Sequence, residues 1–383
     1  MSLSRKGRTF PKHRLPKRRR NIGYNGVILP AKEKQNHLLT MTSPSVSIVI
    51  CTYNGAQYIR EQLDSILAQT YPISEIVVQD DQSKDGTKEI LEQYALNDSR
   101  IKIFTTTDRL GINNNFITAI DRATCDLIAW SDQDDIWRPD KIEKQVKALK
   151  EQDLWISFHI TVPFKGDEVP KNPDYDKRMP NFGLERTLFL GSVPGHTMLF
   201  TKELRDKARN SVPDEKLRKI GESYYYDAML SIVANAYGKV GCIVEPLDYH
   251  RRLITSVSES NRKNLSKRNL PNAIRKLIRN LKPEYRRVVK PLIEKRFDNM
   301  ANLLGYFPDA PFSKDALKII SAYKKGYFFF ITELIRNRDK IFFSKERSTI
   351  IASGRALFFP ITMYDYFSIS YKFAQNGAEE FKK

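Results

Sequence analysis

Residues 128–135 read Ile128-Ala129-Trp130-Ser131-Asp132-Gln133-Asp134-Asp135, an apolar run that ends in three carboxylates and continues as Ile136-Trp137-Arg138-Pro139. A buried strand does not tolerate clustered carboxylates, so the cluster marks the strand's end, where the chain meets solvent or a cation. In an open α/β sheet the carboxyl ends of strands are where ligands bind. Asp132 and Asp134, one residue apart, can share a hard divalent cation with phosphate oxygens, because Mg²⁺ and Mn²⁺ favour oxygen ligands. Taken alone, the triplet also fits a solvated turn.

The upstream segment narrows the reading. Ser45–Cys51 is a β-branched run ending in Thr52-Tyr53-Asn54-Gly55, a polar turn. Ile59, Leu63, Ile66 and Leu67 then recur at helical spacing until Tyr71-Pro72. A second strand, Glu75-Ile76-Val77-Val78, runs into Asp80-Asp81-Gln82-Ser83-Lys84-Asp85-Gly86-Thr87. Helix 87–95, strand 101–105, helix 112–122 and strand 126–131 follow at the pace of βαβ units. The expected architecture is an α/β parallel sheet with helices on both faces, its acidic clusters meeting on one edge.

These three motifs, in this order and spacing over residues 45–142, resemble the family 2 glycosyltransferases of the GT-A (Rossmann-like) fold. A weaker resemblance runs through Pro194-Gly195-His196-Thr197-Met198 and Tyr226-Asp227-Ala228-Met229-Leu230 to Tyr249, and is similar to the bacterial rhamnosyltransferase-like branch. The resemblance implies inverting transfer of a sugar from a nucleoside diphosphate donor to an acceptor hydroxyl. It implies a divalent ion on Asp134, aided by Asp132 directly or through water. Asp135 is left between orienting a sugar hydroxyl, capping a turn and plain solvation.

Asp81 matches the family carboxylate that accepts the N3 proton of uracil or thymine, against the simpler reading that Asp80 and Asp81 cap a turn. Asp85 and Gly86 fit the turn. Thr52 lies against the base by the same resemblance. Asn54 is expected to be a helix N-cap with a secondary ligand role, and Tyr53 stays open between packing and ring stacking.

The general base is carried over to Asp227, ahead of the helical run Met229, Leu230, Ile232, Val233 and Ala236; a carboxylate there also complements the helix dipole. Glu222 competes with it, and Tyr226 stands where many relatives have His. Arg252 falls where relatives show a His at the metal or diphosphate, and His250 serves if the loop slips by two residues. Both also fit a solvated basic turn. His196 is expected on the acceptor wall.

Charge divides the chain into three. Basic outnumber acidic residues 11 to 1 over 1–40 and 26 to 11 over 261–383, whereas 41–260 holds 27 basic against 33 acidic. A slightly acidic middle does not encode a nucleic-acid groove. Residues 1–43 are expected to be a basic disordered extension, without a signal peptide's apolar core. Met41 precedes the first strand directly, so residues 1–40 also fit a misassigned upstream start. Residues 44–260 are expected to be the catalytic domain and 261–383 a helical extension.

That extension has basic helical stretches near 271–305 and 313–340. Its aromatic clusters are Tyr327-Phe328-Phe329-Phe330, Phe342-Phe343, Phe358-Phe359 and Tyr364–Tyr371. It fits either an anionic membrane surface, where a lipid-linked acceptor resides, or a packed subdomain. Cys51, Cys125 and Cys242 show neither metal spacing nor a disulfide framework.

The sequence thus predicts a cytoplasmic, membrane-peripheral, Mg²⁺- or Mn²⁺-dependent glycosyltransferase. Its donor is a UDP- or dTDP-sugar and its acceptor a glycan or lipid-linked glycan in cell-surface polysaccharide assembly. The competing readings are a nucleotidyltransferase, which lacks its Gly-rich phosphate loop here, a basic nucleic-acid-binding protein, and an inactive scaffold of the same fold.

Overall fold

Strand alternation puts Val46, Ile48 and Ile50 on one face of the first strand and Val49 on the other, and all four are buried. A strand apolar on both faces belongs inside a sheet. The computed structural model describes residues 43–166, 168–170, 175, 180, 182–189, 192–221, 224–252, 275, 278–342 and 349–363. Its strands are β1 (Val46–Thr52), β2 (Glu75–Asp80), β3 (Ile101–Thr105), β4 (Leu127–Ser131), β5 (Ile136–Trp137), β6 (Ile156–Phe164), β7 (Leu199–Thr201) and β8 (Val240–Arg251). They form one sheet in the order β3-β2-β1-β4-β7-β6-β8-β5.

The first four strands are parallel, as the βαβ pattern predicts, and their register aligns the carboxyl ends. Thr52 lies beside Asp80, Asp80 beside Thr105, and Ile50 beside Ser131. The second half of the sheet, on which the βαβ pattern is silent, is mixed. There β7 runs antiparallel to β4 and β6, β5 antiparallel to β8, and β6 parallel to β8. β7 is entered from a one-turn 3₁₀ helix, Gly195–Thr197, without the crossover helix that a parallel neighbour requires.

Each face has its own core. Helices α1 (Ile59–Leu67), α2 (Thr87–Asn97) and α4 (Lys141–Gln152) bury Leu63, Leu91 and Val146 against Ile48, Ile50, Ile76 and Val78. Helices α3 (Gly111–Ile120), α5 (Lys202–Ser211) and α6 (Tyr226–Ala236) bury Ile120, Leu204 and Ile232 against Val49, Val77, Ile128 and Trp130. α5 begins where the Thr201 hydroxyl accepts the Leu204 N–H.

The second core continues into the C-terminal helices α7 (Pro283–Gly305), α8 (Ser313–Lys325), α9 (Tyr327–Arg336) and α10 (Thr349–Thr362). Pro283 opens α7, where a missing N–H costs nothing. The helical stretch expected over 313–340 is broken at Gly326, whose φ of +119° suits glycine alone. Phe330 and Phe359 turn inward onto Phe189, with ring centroids 6.3 and 4.7 Å away, while Phe297 packs at 5.5 Å. Lys340 ties the helices to the sheet side by reaching Asp315 at 2.5 Å and Glu185 at 3.3 Å.

The packed-subdomain expectation therefore describes Phe330, Phe342 and Phe359, whereas Tyr327, Phe328, Phe329 and Phe358 face solvent. Among the described residues no helix is long and apolar enough to cross a membrane. The N-terminal extension 1–42, Phe343 and the Tyr364–Tyr371 cluster lie outside the described residues.

Because sheet and C-terminal helices share one core, Phe297→Ala should destabilise the whole chain by about 3–5 kcal/mol, the usual cost of emptying a buried phenylalanine site. Denaturant unfolding followed by tryptophan fluorescence and circular dichroism should show one transition shifted as a unit. Two transitions, with only one displaced, would contradict a continuous core.

Candidate active site

The acidic triplet is held against β1 by the residue inside it. Gln133 accepts the Tyr53 N–H at Oε1 (2.9 Å) and donates from Nε2 to the Tyr53 carbonyl (3.1 Å), clamping the ends of β1 and β4 together. The clamp explains Gly55, where an added Cβ would stand 2.3 Å from Gln133 Oε1. Asp132 and Asp134 are half-exposed, whereas Asp135 is fully buried. Burial and the charges of Asp135 and Asp132 push the Asp134 carboxyl up to about 8. Burial and Asp135 likewise raise Asp132, against the pull of His196 and His250. Three carboxylates crowded at one edge favour an added positive charge.

Asp135 reaches across the sheet edge. β5 follows it at once and pairs with β8, Ile136 opposite Tyr249, so Asp135 meets His250 across the ladder. Its Oδ1 accepts from His250 Nδ1 at 2.8 Å and from the Arg251 N–H at 3.1 Å. Its Oδ2 is buried without a hydrogen bond, 3.4 Å from His196 Nδ1. Turn capping and solvation are thereby corrected: Asp135 orients a histidine.

Asp248, three residues before the end of β8, anchors the rest. It is fully buried and accepts from His196 Nδ1 at 2.9 Å, with Lys141 Nζ at 3.6 Å and His159 Nε2 at 3.8 Å. Burial opposes its charge, yet His159, His196 and Lys141 prevail and hold it well below the usual carboxylate range. Burial also works against His196, but Asp248, and behind it Asp135 and Asp132, pull its imidazolium up to about 9. Burial pushes Lys141 down to about 8 and His159 down to about 3. The His196 and His250 rings stack 4.5 Å apart, and Asp135, His196 and His250 can bring three ligand atoms within 4.8 Å of one another.

The 3₁₀ turn carrying His196 also holds Asp227. The Gly195 N–H donates to Asp227 Oδ2 at 3.1 Å, and the Ala228 N–H to Oδ1 at 2.7 Å. Beneath the turn, Lys141 Nζ donates to the His196 carbonyl at 2.7 Å and Gln145 Nε2 to the Thr197 carbonyl at 2.9 Å. Asp227 lies in the first turn of α6, so it complements the helix dipole and borders the site at once. Burial pushes its carboxyl up to about 6, against the two amides that favour the ionised form. Tyr226 is core, edge-on to Trp130 at 5.9 Å. Glu222 lies outside the described residues.

Along the same edge, Asp81 accepts the Leu110 and Gly111 N–H groups at 2.7 and 2.9 Å and the Thr106 hydroxyl at 3.2 Å. An ionised carboxylate has about four acceptor positions, so one remains for a ring N–H. The Thr52 hydroxyl turns inward to Asp80 at 2.7 Å. Asn54 is corrected from helix cap to loop tie. It has a φ of +48°, accepts the Lys84 N–H at 2.9 Å, and the cap position of α1 belongs to Tyr58. Asp85 holds the expected turn by accepting the Ala56 N–H at 3.0 Å. Tyr53 lies half-exposed beneath the Arg109 guanidinium, 4.0 Å from its ring centre.

At β8 it is the His250 side chain that the structure brings into the cluster, while the Arg252 N–H is engaged by the Phe164 carbonyl. Arg251 is buried, donating to the Asp134 carbonyl at 3.1 Å and pairing with Glu61. Sequence reasoning missed Gln133, Lys141, Arg109 and Asp248. Only Asp248 carried a signal, as an acid directly after the apolar Pro246-Leu247 in a strand, where it must find a buried partner.

Residues 47–205 match the family model described as glycosyl transferase family 2. The chain is 36% identical over 120 residues, 31% of its length, to TuaG of Bacillus subtilis, described as a teichuronic acid biosynthesis glycosyltransferase, covering 48% of that protein. It is 31% identical over 146 residues, 36% of its length, to WfgD of Escherichia coli, a UDP-Glc:alpha-D-GlcNAc-diphosphoundecaprenol beta-1,3-glucosyltransferase, covering 56% of it. Neither name is that of a rhamnosyltransferase, so that branch gains no specific support. The chain thus spans about half the length of these curated relatives. The solved mannosyltransferase PcManGT from Pyrobaculum calidifontis, in complex with GDP-Man and Mn²⁺, superposes with a TM-score of 0.47 at 19% identity over 88% of each chain. Residues 47–205 are thus similar to glycosyl transferase family 2, and they carry the acidic strand end described above.

Proposed function

We propose that this chain is an inverting glycosyltransferase of cell-surface polysaccharide assembly. It moves a hexosyl or deoxyhexosyl unit from a UDP- or dTDP-sugar to a hydroxyl of a glycan or lipid-linked acceptor, at the cytoplasmic face of a membrane. The observation that carries this reading is the single turn 194–197, which grips Asp227 through Gly195 and abuts the acidic cluster through His196. One turn thus links Asp227, read here as the proton acceptor, to the acidic cluster, which supports the reading.

In the reaction an acceptor oxygen forms its bond to the anomeric carbon as the bond to the diphosphate oxygen breaks on the opposite face. Asp227 takes the acceptor's hydroxyl proton. Tyr53, Arg109 and Asp81 offer a stacking plane, a cation and an acceptor for the nucleotide, and Asp132 a polar contact. The acidic edge fits a divalent cation. Asp135 Oδ2 is a buried oxygen without a hydrogen bond, and His250 directs Nδ1 to Asp135, which leaves Nε2 as its other ring nitrogen. A ligating histidine oriented by a carboxylate has this form. Asp134, Asp132 and His250 are the residues to hold Mg²⁺ or Mn²⁺, whose chemistry is to neutralise the leaving diphosphate. WfgD, by its name, acts on a diphosphoundecaprenol-linked sugar, which supports a lipid-linked acceptor here.

A panel of sugar nucleotides assayed with Mn²⁺, Mg²⁺ or chelator tests the proposal. UDP- or dTDP-sugars should turn over only with metal, and Asp134→Asn should be inactive with an unchanged melting curve. Activity in that variant after exhaustive chelation would overturn the metal role.

With the Asp227 carboxyl near 6, its ionised form dominates above that pH. Transfer should therefore fall as pH drops below about 6. Asp227→Asn should lose roughly 10²–10⁴-fold in transfer and the acid limb of the pH profile, yet keep donor affinity. Near-native transfer by that variant would remove Asp227 from the mechanism.

Asp81 both caps a loop and faces the nucleotide edge, so Asp81→Ala is judged by a ratio. Calorimetry should show wild type preferring UDP over CDP by about 1–3 kcal/mol, the cost of an unpaired buried polar group, and the variant binding both alike. A preserved preference would return Asp81 to a purely structural role.

A further inference from the structure

We propose that Asn113 is a positioning residue that aims Asp227 from the first turn of α3. The leading N–H groups of a helix have no partner inside it, and at α6 the cap residue Tyr225 offers no side-chain bond. The oxygen comes from another helix instead. Asn113 Oδ1 accepts the Tyr226 N–H at 3.0 Å. Asn113 is half-buried, and its amide is confined on the other side, where a Cβ added to Gly221 would stand 3.1 Å from Nδ2.

Asp227 is the next residue, and its carboxylate is fixed by two amides. The Gly195 N–H at 3.1 Å belongs to the turn 194–197, whose carbonyls Lys141 and Gln145 hold. The Ala228 N–H at 2.7 Å belongs to the first turn of α6, whose leading N–H Asn113 holds. Tyr226, buried against Trp130, seats α6 as a body. Proton transfer asks for finer alignment, since a misplacement of about 1 Å can cost roughly 10²-fold in rate. The same turn of α3 also meets the nucleotide edge, because Asp81 accepts the Leu110 and Gly111 N–H groups at 2.7 and 2.9 Å just ahead of Asn113. One turn therefore connects the carboxylate read above as facing the base with the one read as taking the proton.

The inference rests on that reading of Asp227, and the experiment separates the two. Asn113→Ala, Asn113→Asp and Asp227→Asn are made in the full chain and assayed with the UDP- or dTDP-sugar that turns over in the donor panel, at about pH 8, where an aspartate at either position is ionised. Asn113→Ala should lower kcat by roughly 10–10²-fold and leave donor KM and UDP affinity unchanged. Asn113→Asp keeps the accepting oxygen and should restore kcat. In the Asp227→Asn background Asn113→Ala should cost nothing further, because a residue that acts through Asp227 has nothing left to aim. Read without turnover, hydrogen exchange at the Tyr226 amide should quicken in Asn113→Ala and not in Asn113→Asp. Wild-type kcat in Asn113→Ala, with Asp227→Asn inactive, would overturn this inference alone. So would a loss that adds in full to that of Asp227→Asn, a slow Asn113→Asp, or unchanged exchange at Tyr226. Near-native transfer by Asp227→Asn would overturn the reading beneath it as well.

Discussion

The site depends on one buried carboxylate. Asp248 holds Lys141, His196 and His159 within 3.8 Å, and through them fixes the turn at 194–197. Removing one member of such a group leaves the others charged and unpaired in the interior, which typically costs about 3–5 kcal/mol. The group is nevertheless more than a store of stability. His196 lies between Asp248 and Asp135, and Gly195 beside it carries the amide that grips Asp227. Asp135 and Asp227 are therefore tied to one and the same turn.

The electrostatics of the cleft follow from where each carboxylate sits. Asp248 is held ionised by the cations of His196 and Lys141 with His159 beside them, whereas Asp134 faces its own kind and is raised to about 8. Asp227 lies between, near 6, because burial is countered by two backbone amides. In the function proposed above, Asp248 is structural, Asp227 accepts a proton, and Asp132 and Asp134 are the pair that a dication would neutralise. A bound cation would lower the Asp134 carboxyl and draw it into its ionised form.

Much of this was legible in the sequence where chemistry and chain direction coincide. Apolar runs ending in Asp80-Asp81 and in Asp132 to Asp135 announce strand ends, and the βαβ spacing of the first four strands sends those ends to one edge. What the sequence could not show were pairings across long separations. Asp135 meets His250 only because β5, two residues long, pairs with β8 more than a hundred positions away. Gln133 looked like a spacer until the sheet brought Tyr53 against it. Asn54 misled because Asn is equally at home capping a helix and in a left-handed turn. In the C-terminal helices, composition could not separate Phe330, facing in, from Phe328, facing out, since a shift of two positions on a helix reverses the side.

The central claim is that the edge formed by Asp132, Asp134 and His250 holds a divalent cation beside a nucleoside diphosphate. Anomalous scattering from a crystal of the full chain grown with Mn²⁺ and UDP addresses it directly. The account predicts one manganese peak at this edge, in contact with the Asp134 carboxylate and with the UDP diphosphate. Bound UDP without a peak there, or manganese at a site away from Asp134, would contradict it.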